Sequence, residues 1–210
     1  MSDSAASVPA AEVMRGIALM SVAMLLVPMM DVTAKYLTET QPPLQIALAR
    51  FGFQMVFALL TAAIGPGLAV LRAPRLWPHL LRGYFLSGAT VCFFTAIETM
   101  PVTDAIAIFF VEPMILTVLS AVILKEQVGP RRWIAVLVGL VGVAIIIRPG
   151  FENFGLTALL PLCAALLFAL YLVITRKLSG EGGMLCVQFT AGLGGVMLLG
   201  TLFLAGNIAG

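Results

Sequence analysis

Charge is scarce in this chain. Only 10% of its 210 residues are Asp, Glu, Lys or Arg, while 61% are apolar. Soluble domains carry roughly 25% charged residues, so this composition excludes a soluble globular fold and points to an integral membrane protein. Histidine occurs once, at His79, and no His-Glu-x-x-His pattern is present. An intramembrane enzyme built on metal or paired acids is therefore not expected, and neither is a metal site. Cys92, Cys163 and Cys186 all fall in apolar segments. Their spacing fits neither a disulfide framework nor a metal site, and they read as small packing residues. No Gly-x-x-x-x-Gly-Lys-Ser/Thr loop occurs, so ATP drive from within these residues is not expected. No cofactor and no nucleic-acid partner are expected. Residues 1–14 are small and polar, without apolar periodicity, and read as a disordered cytoplasmic tail.

What the chain has in abundance is long apolar runs. Seven stand out, at about 16–37, 44–64, 79–98, 103–124, 132–148, 155–176 and 184–206. Each is near the ~20 residues with which a helix crosses a bilayer. No alternating strand pattern competes, so the expected fold is an all-α multi-span bundle surrounded by lipid. The connections set its orientation. Arg15, Arg72, Arg75, Arg82, Lys125, Arg131, Arg132, Arg176 and Lys177 fall on one side, nine of the twelve basic residues. By the positive-inside rule that side, with the N-terminus, faces the cytoplasm. Segments one and six both end in a basic residue followed by leucine, at Lys35-Tyr36-Leu37 and Arg176-Lys177-Leu178. If six repeats one, the unit is five helices, and an odd unit sets its second copy upside down.

A few polar residues lie at membrane depth. Glu112 sits inside the apolar run 105–124 and is followed by Pro113. A carboxylate at a helix centre costs about 2.5–3.5 kcal/mol and persists only against protein, water or a ligand. Proline deletes a backbone hydrogen bond and bends the helix there. With a rise of ~1.5 Å per residue, Asp31 lies roughly 20 Å above the cytoplasmic face, and Arg50 and Glu112 roughly 10 and 13 Å below the outer one. These three charges are expected to converge on a polar cavity. There Arg50 could hold an anionic group, and Glu112 or Asp31 could carry a proton. Gln188 and Thr190 fall near the mirrored position of Arg50. Structural readings stand beside these. Asp31 and Lys35 are spaced for an intrahelical pair, Arg50 could snorkel outward, and Glu112 could make a buried structural hydrogen bond. His79 reads as an interfacial residue. The glycines Gly139, Gly142, Gly192, Gly194 and Gly195 mark close helix packing, within the bundle or in a homodimer.

Several stretches together resemble the EamA family of the drug/metabolite transporter superfamily. They are Asp31-Val32-Thr33-Ala34-Lys35-Tyr36-Leu37, Arg50-Phe51, Leu81-Arg82-Gly83, Pro101-Val102-Thr103, Pro113, Leu124 with Glu126, Arg132-Trp133, Gly139, Gly142 and Arg148-Pro149. The resemblance implies inverted five-helix repeats. The first would span 15–149, and 150–210 would be a partial second repeat, so that seven helices of ten are present. It also implies secondary transport of a small organic metabolite across the inner membrane, proton-coupled or by exchange. Amino acids and their derivatives, and vitamins such as riboflavin, are substrates of such proteins. The residue before the helix-four proline varies in the family, so Glu112 would mark a subgroup with its own substrate. The alternative is a non-transporting or dimer-dependent truncated membrane subunit.

Overall fold

The computed structural model describes residues 10–126 and 129–209, and every regular element among them is helical. The helices are α1 (Ala10–Leu37), α2 (Pro43–Ile64), α3 (Leu76–Thr99), α4 (Val102–Phe109), α5 (Glu112–Ile123), α6 (Pro130–Phe154), α7 (Leu159–Lys177) and α8 (Met184–Ala209). Among the described residues, six stretches are long and apolar enough to cross a membrane: Val13–Leu37, Pro43–Ile64, Leu76–Thr99, Val102–Ile123, Gly155–Lys177 and Met184–Gly206. The chain is an all-α, multi-pass membrane protein. Helix α6 covers the expected fifth segment, and part of its side chains lies outside the described residues. Of the expected tail, residues 1–9 lie outside the described residues, while α1 already begins at Ala10.

The expected fourth helix is two. α4 ends at Phe109 and α5 starts at Glu112, with Phe110 and Val111 between them. Pro113 explains the break. It has no N–H to donate to the carbonyl of Phe109, four residues back, and its ring collides with that carbonyl. In the first turn of α5, where no partner is needed, the same residue is well placed. Helix α5 ends with Lys125 in the left-handed region, φ 54°.

Three polar contacts fix which helix ends share a side. Lys35 Nζ, at the end of α1, donates to the carbonyl oxygens of Ile97 at 2.6 Å and Glu98 at 3.3 Å. Lys35 thus reaches the last turn of α3 rather than Asp31 on its own helix. A cation there satisfies free carbonyls and complements the α3 dipole. Lys35→Met is therefore expected to destabilise the fold by about 1 kcal/mol, measurable as earlier thermal unfolding in detergent. At the opposite end, Arg75 pairs with Glu181 of the α7–α8 connection, and Arg176 of α7 pairs with Glu126 at 3.1 Å. Arg72, Arg75, Arg176 and Lys177 therefore gather at one end of the bundle.

The interior is built around α8, which lies between α2 and α3. Small residues set these distances. A Cβ on Gly194 would come within 2.7 Å of the Leu80 carbonyl oxygen, and one on Gly83 within 2.8 Å of that of Ala191. Gly192 and Gly195 do the same against Met55 and Phe51 of α2. α3 also packs along α7, which in turn carries α5. Phe51, Phe94, Ile97, Met100 and Leu199 form the buried apolar centre. α1 touches the rest lightly, on α3 and α4.

Candidate functional site

α1 stands off from its neighbours and leaves space behind it. A cavity of about 530 Å³ is lined by residues of α1, α2, α3, α4 and α7. Its polar groups are Asp31 from α1, Arg50 from α2 and Thr90 from α3. Its walls are aromatic, with Phe93, Phe94, Phe109, Phe110 and Phe168. Phe109 makes edge contact with Phe93 (centroids 5.8 Å apart, planes at 73°) and a tilted contact with Phe168 at 5.7 Å; Phe168 continues to Tyr171 at 5.4 Å. Edge and tilted arrangements suit the ring quadrupoles and fix the walls.

The Arg50 guanidinium is held in place from two sides. Its Nη1 donates to Thr90 Oγ1 at 3.1 Å, and its Cζ lies 5.6 Å from the Phe51 ring centroid, a cation–π contact. Four further N–H donors of the guanidinium remain for a ligand. Asp31 shares the cavity but forms no ion pair with Arg50, and no described side chain donates a hydrogen bond to its carboxylate. One acid and one base thus face the same space, each with bonding capacity left over. Arg50 also lines a second cavity of about 540 Å³, which runs between α1 and α2 to Gln41 and Gln45. That route leads toward the end opposite Arg75 and Arg176.

The expected convergence of three charges is only partly realised. Asp31 and Arg50 come together, whereas Glu112 is not among the residues lining either cavity. Glu112 sits half-buried in the first turn of α5, and its Oε1 is buried without a partner among the described residues. Pro113 follows it at the α4–α5 break. Gln188 lies elsewhere too. Gln54 Nε2 donates to the Gln188 carbonyl oxygen at 3.1 Å and to Oε1 at 3.2 Å, tying α2 to α8. Arg82 and His79, which read as flanking and interfacial, are both wholly buried, His79 at 0% exposure and Arg82 at 1%. Cys92 of α3 and Cys163 of α7 stand 3.8 Å apart, Sγ to Sγ, as neighbouring thiols that their sequence spacing gave no reason to pair.

The model of the EamA-like transporter family matches residues 14–148. The chain belongs to the EamA-like transporter family. Among similar proteins is the riboflavin transporter of Rhizobium johnstonii, 30% identical over 72% of this chain and 51% of the relative. The S-adenosylmethionine uptake transporter of Rickettsia prowazekii is 29% identical over 76% and 54%, and the pseudopaline exporter of Pseudomonas aeruginosa 27% over 72% and 53%. The chain spans about half the length of the curated relatives it matches. No solved structure matches it. The relatives named here are transporters, two of uptake or vitamin type and one an exporter.

Proposed function

We propose that this chain belongs to an inner-membrane secondary transporter of a small organic metabolite that carries a flat aromatic ring and a charged or strongly polar head. One observation carries this reading: an unpaired carboxylate, a guanidinium with spare donors and five phenylalanines face one cavity at membrane depth. Its volume, about 530 Å³, falls in the 300–1,000 Å³ range of small-molecule sites. The phenylalanines suit a ring, Arg50 an anionic or carbonyl group, and Asp31 a cation or a proton. Riboflavin and S-adenosylmethionine, named for two relatives, both contain such rings. Of the two, only the sulfonium compound brings both charges.

The gathering of basic residues at one end supports a cytoplasmic assignment for that end and for the N-terminus. With the Arg75–Glu181 pair and the Gly83–Gly194 contact on that side, the cavity route past Gln45 opens toward the other. We further propose that α7 and α8 repeat α1 and α2 in inverted sense. Glu112 is the proposed proton carrier, because a buried carboxyl oxygen without a partner is where a proton is readily taken up. Uptake of radiolabelled riboflavin and of S-adenosylmethionine by cells expressing the full-length protein tests the reading. Asp31→Asn is expected to cut transport of the cationic compound at least about tenfold, the worth of one charged hydrogen bond. Glu112→Gln is expected to abolish accumulation against a gradient while exchange continues. Wild-type uptake from both variants would remove the site assignment.

A further inference from the structure

α3 carries a second polar group eight residues, or about 12 Å, from Thr90 toward the basic end. Here Arg82 is buried where α3 meets α8. Its Nη2 donates to the Val187 carbonyl oxygen and to Thr190 Oγ1, both at 3.0 Å, while its Nε has no partner. His79 lies one turn earlier on the same helix, a spacing that sets side chains on one face. It is wholly buried, and neither ring nitrogen is hydrogen-bonded. No carboxylate among the described residues bonds Arg82, and the nearby Glu181 is engaged by the Arg75 fork through Nε and Nη2. A buried cation without its anion is costly, and the groups left over here are chiefly donors. An Arg–Thr hydrogen bond recurs as well, Arg50 with Thr90 and Arg82 with Thr190.

Arg82 is enclosed by protein in this structure, at 1% exposure. The backbone contact of Gly83 with Ala191 and Gly194 closes it on one side, and the Arg75–Glu181 pair lies at the bundle end. The hydrogen bond from Arg75 holds the Glu181 carboxyl below the usual carboxylate range, so the pair persists at neutral pH and is lost only as pH falls through that lowered value. Being exposed, it is a weak latch.

We propose that Arg82, His79 and Thr190 form a second anion-binding station, uncovered when the Arg75–Glu181 pair parts and α3 separates from α8. It would take an oxyanion of carboxylate or phosphate type. The inference rests on the carrier reading, in which a charged substrate group is presented to one side and then to the other.

Cys186 supplies the test, for it is fully buried, lies beside Arg82 and precedes Thr190 by one turn of α8. In the full-length protein with Cys92→Ser and Cys163→Ser, Cys186 is labelled from the basic side with methanethiosulfonates of similar size. One bears a sulfonate and the other a trimethylammonium, and each rate is divided by its rate with a free thiol. Glu181→Gln is expected to raise labelling about threefold, the scale of an exposed pair, and the sulfonate reagent then to outpace the cationic one about tenfold, as in a cleft lined by one sign of charge. Arg82→Gln abolishes that preference, and inorganic phosphate protects Cys186 only while Arg82 is present. Arg82→Lys, which keeps the charge, retains the preference and serves if the glutamine variant does not fold. A Cys186 that stays unreactive in Glu181→Gln, or a charge preference indifferent to position 82, overturns the proposal. None of these readouts needs transport, so failure of the Asp31–Arg50 cavity as a carrier site is separately visible.

Discussion

Replacing Arg50 with alanine is expected to lower transport roughly 30-fold or more. Losing the cation that a bound substrate anion would pair with in a buried site costs about 2–5 kcal/mol, and every 1.4 kcal/mol is a factor of ten. Arg50 faces both cavities, so its loss acts on the bound substrate and on the route past Gln45. The variant also leaves Thr90 Oγ1 without its donor, but Thr90 still donates to the Leu86 carbonyl at 2.9 Å and the fold survives. Arg50→Lys separates charge from shape. It keeps a cation in the cavity but not the planar fork, and it is expected to transport at an intermediate rate. Transport measured against the amount of folded protein in the membrane decides between the outcomes. Full activity in Arg50→Ala would detach the guanidinium from the substrate.

Gly194→Leu is expected to prevent folding. The Cβ alone would meet the Leu80 carbonyl oxygen at 2.7 Å and the Gly83 Cα at 3.0 Å, and both are backbone atoms that cannot rotate aside. Overpacking of a well-packed interior costs typically about 1–3 kcal/mol, and a full leucine side chain between two backbones lies beyond that range. Gly200, on the same helix, has nothing within 4 Å of an added Cβ. Gly200→Ala is therefore the matched control, expected to be neutral or slightly stabilising through helix propensity. The comparison is read as the yield of monodisperse protein on size exclusion. Equal yields from the two variants would mean that α3 and α8 are not in backbone contact.

Much of this architecture was legible before any coordinates. Apolar runs near twenty residues long locate the helices, because lipid tolerates no unpaired backbone. Pro113 locates the break in the fourth run for an equally local reason. Depth along a helix was also legible, which is why Asp31 and Arg50 come out at one level and in one cavity. The angle around the helix axis was not. Glu112 has a suitable depth, but its side chain does not line the cavity, and the break between α4 and α5 resets the angle at which α5 presents it. Arg82 was misread for a different cause: a basic residue a few positions inside a span looks like a topology signal, and only the partner helix reveals that it points inward. Thr90 gave no sign at all, since a hydroxyl in a helix can bond its own backbone carbonyl. The closeness of Cys92 to Cys163, 71 residues apart, depends wholly on how α3 meets α7.

The glycine faces of α8 bear on how the bundle can move. Midway along its contact with α2 and α3 this helix offers backbone, at Gly192, Gly194 and Gly195, while Thr190 and Leu199 are buried to either side of that stretch. Rotation about its axis would drive side chains such as Leu193 and Met197 into neighbours that now meet glycine. Sliding by a turn would do the same, bringing Ala191 or Leu198 to the place of Gly194. What sets its height are two polar catches, Gln54 on Gln188 and Arg82 on Thr190, both near the basic end. A helix so mounted is like a door leaf latched along one edge: turning and sliding are blocked by its fit, and release of the catches leaves only swinging away at the basic end.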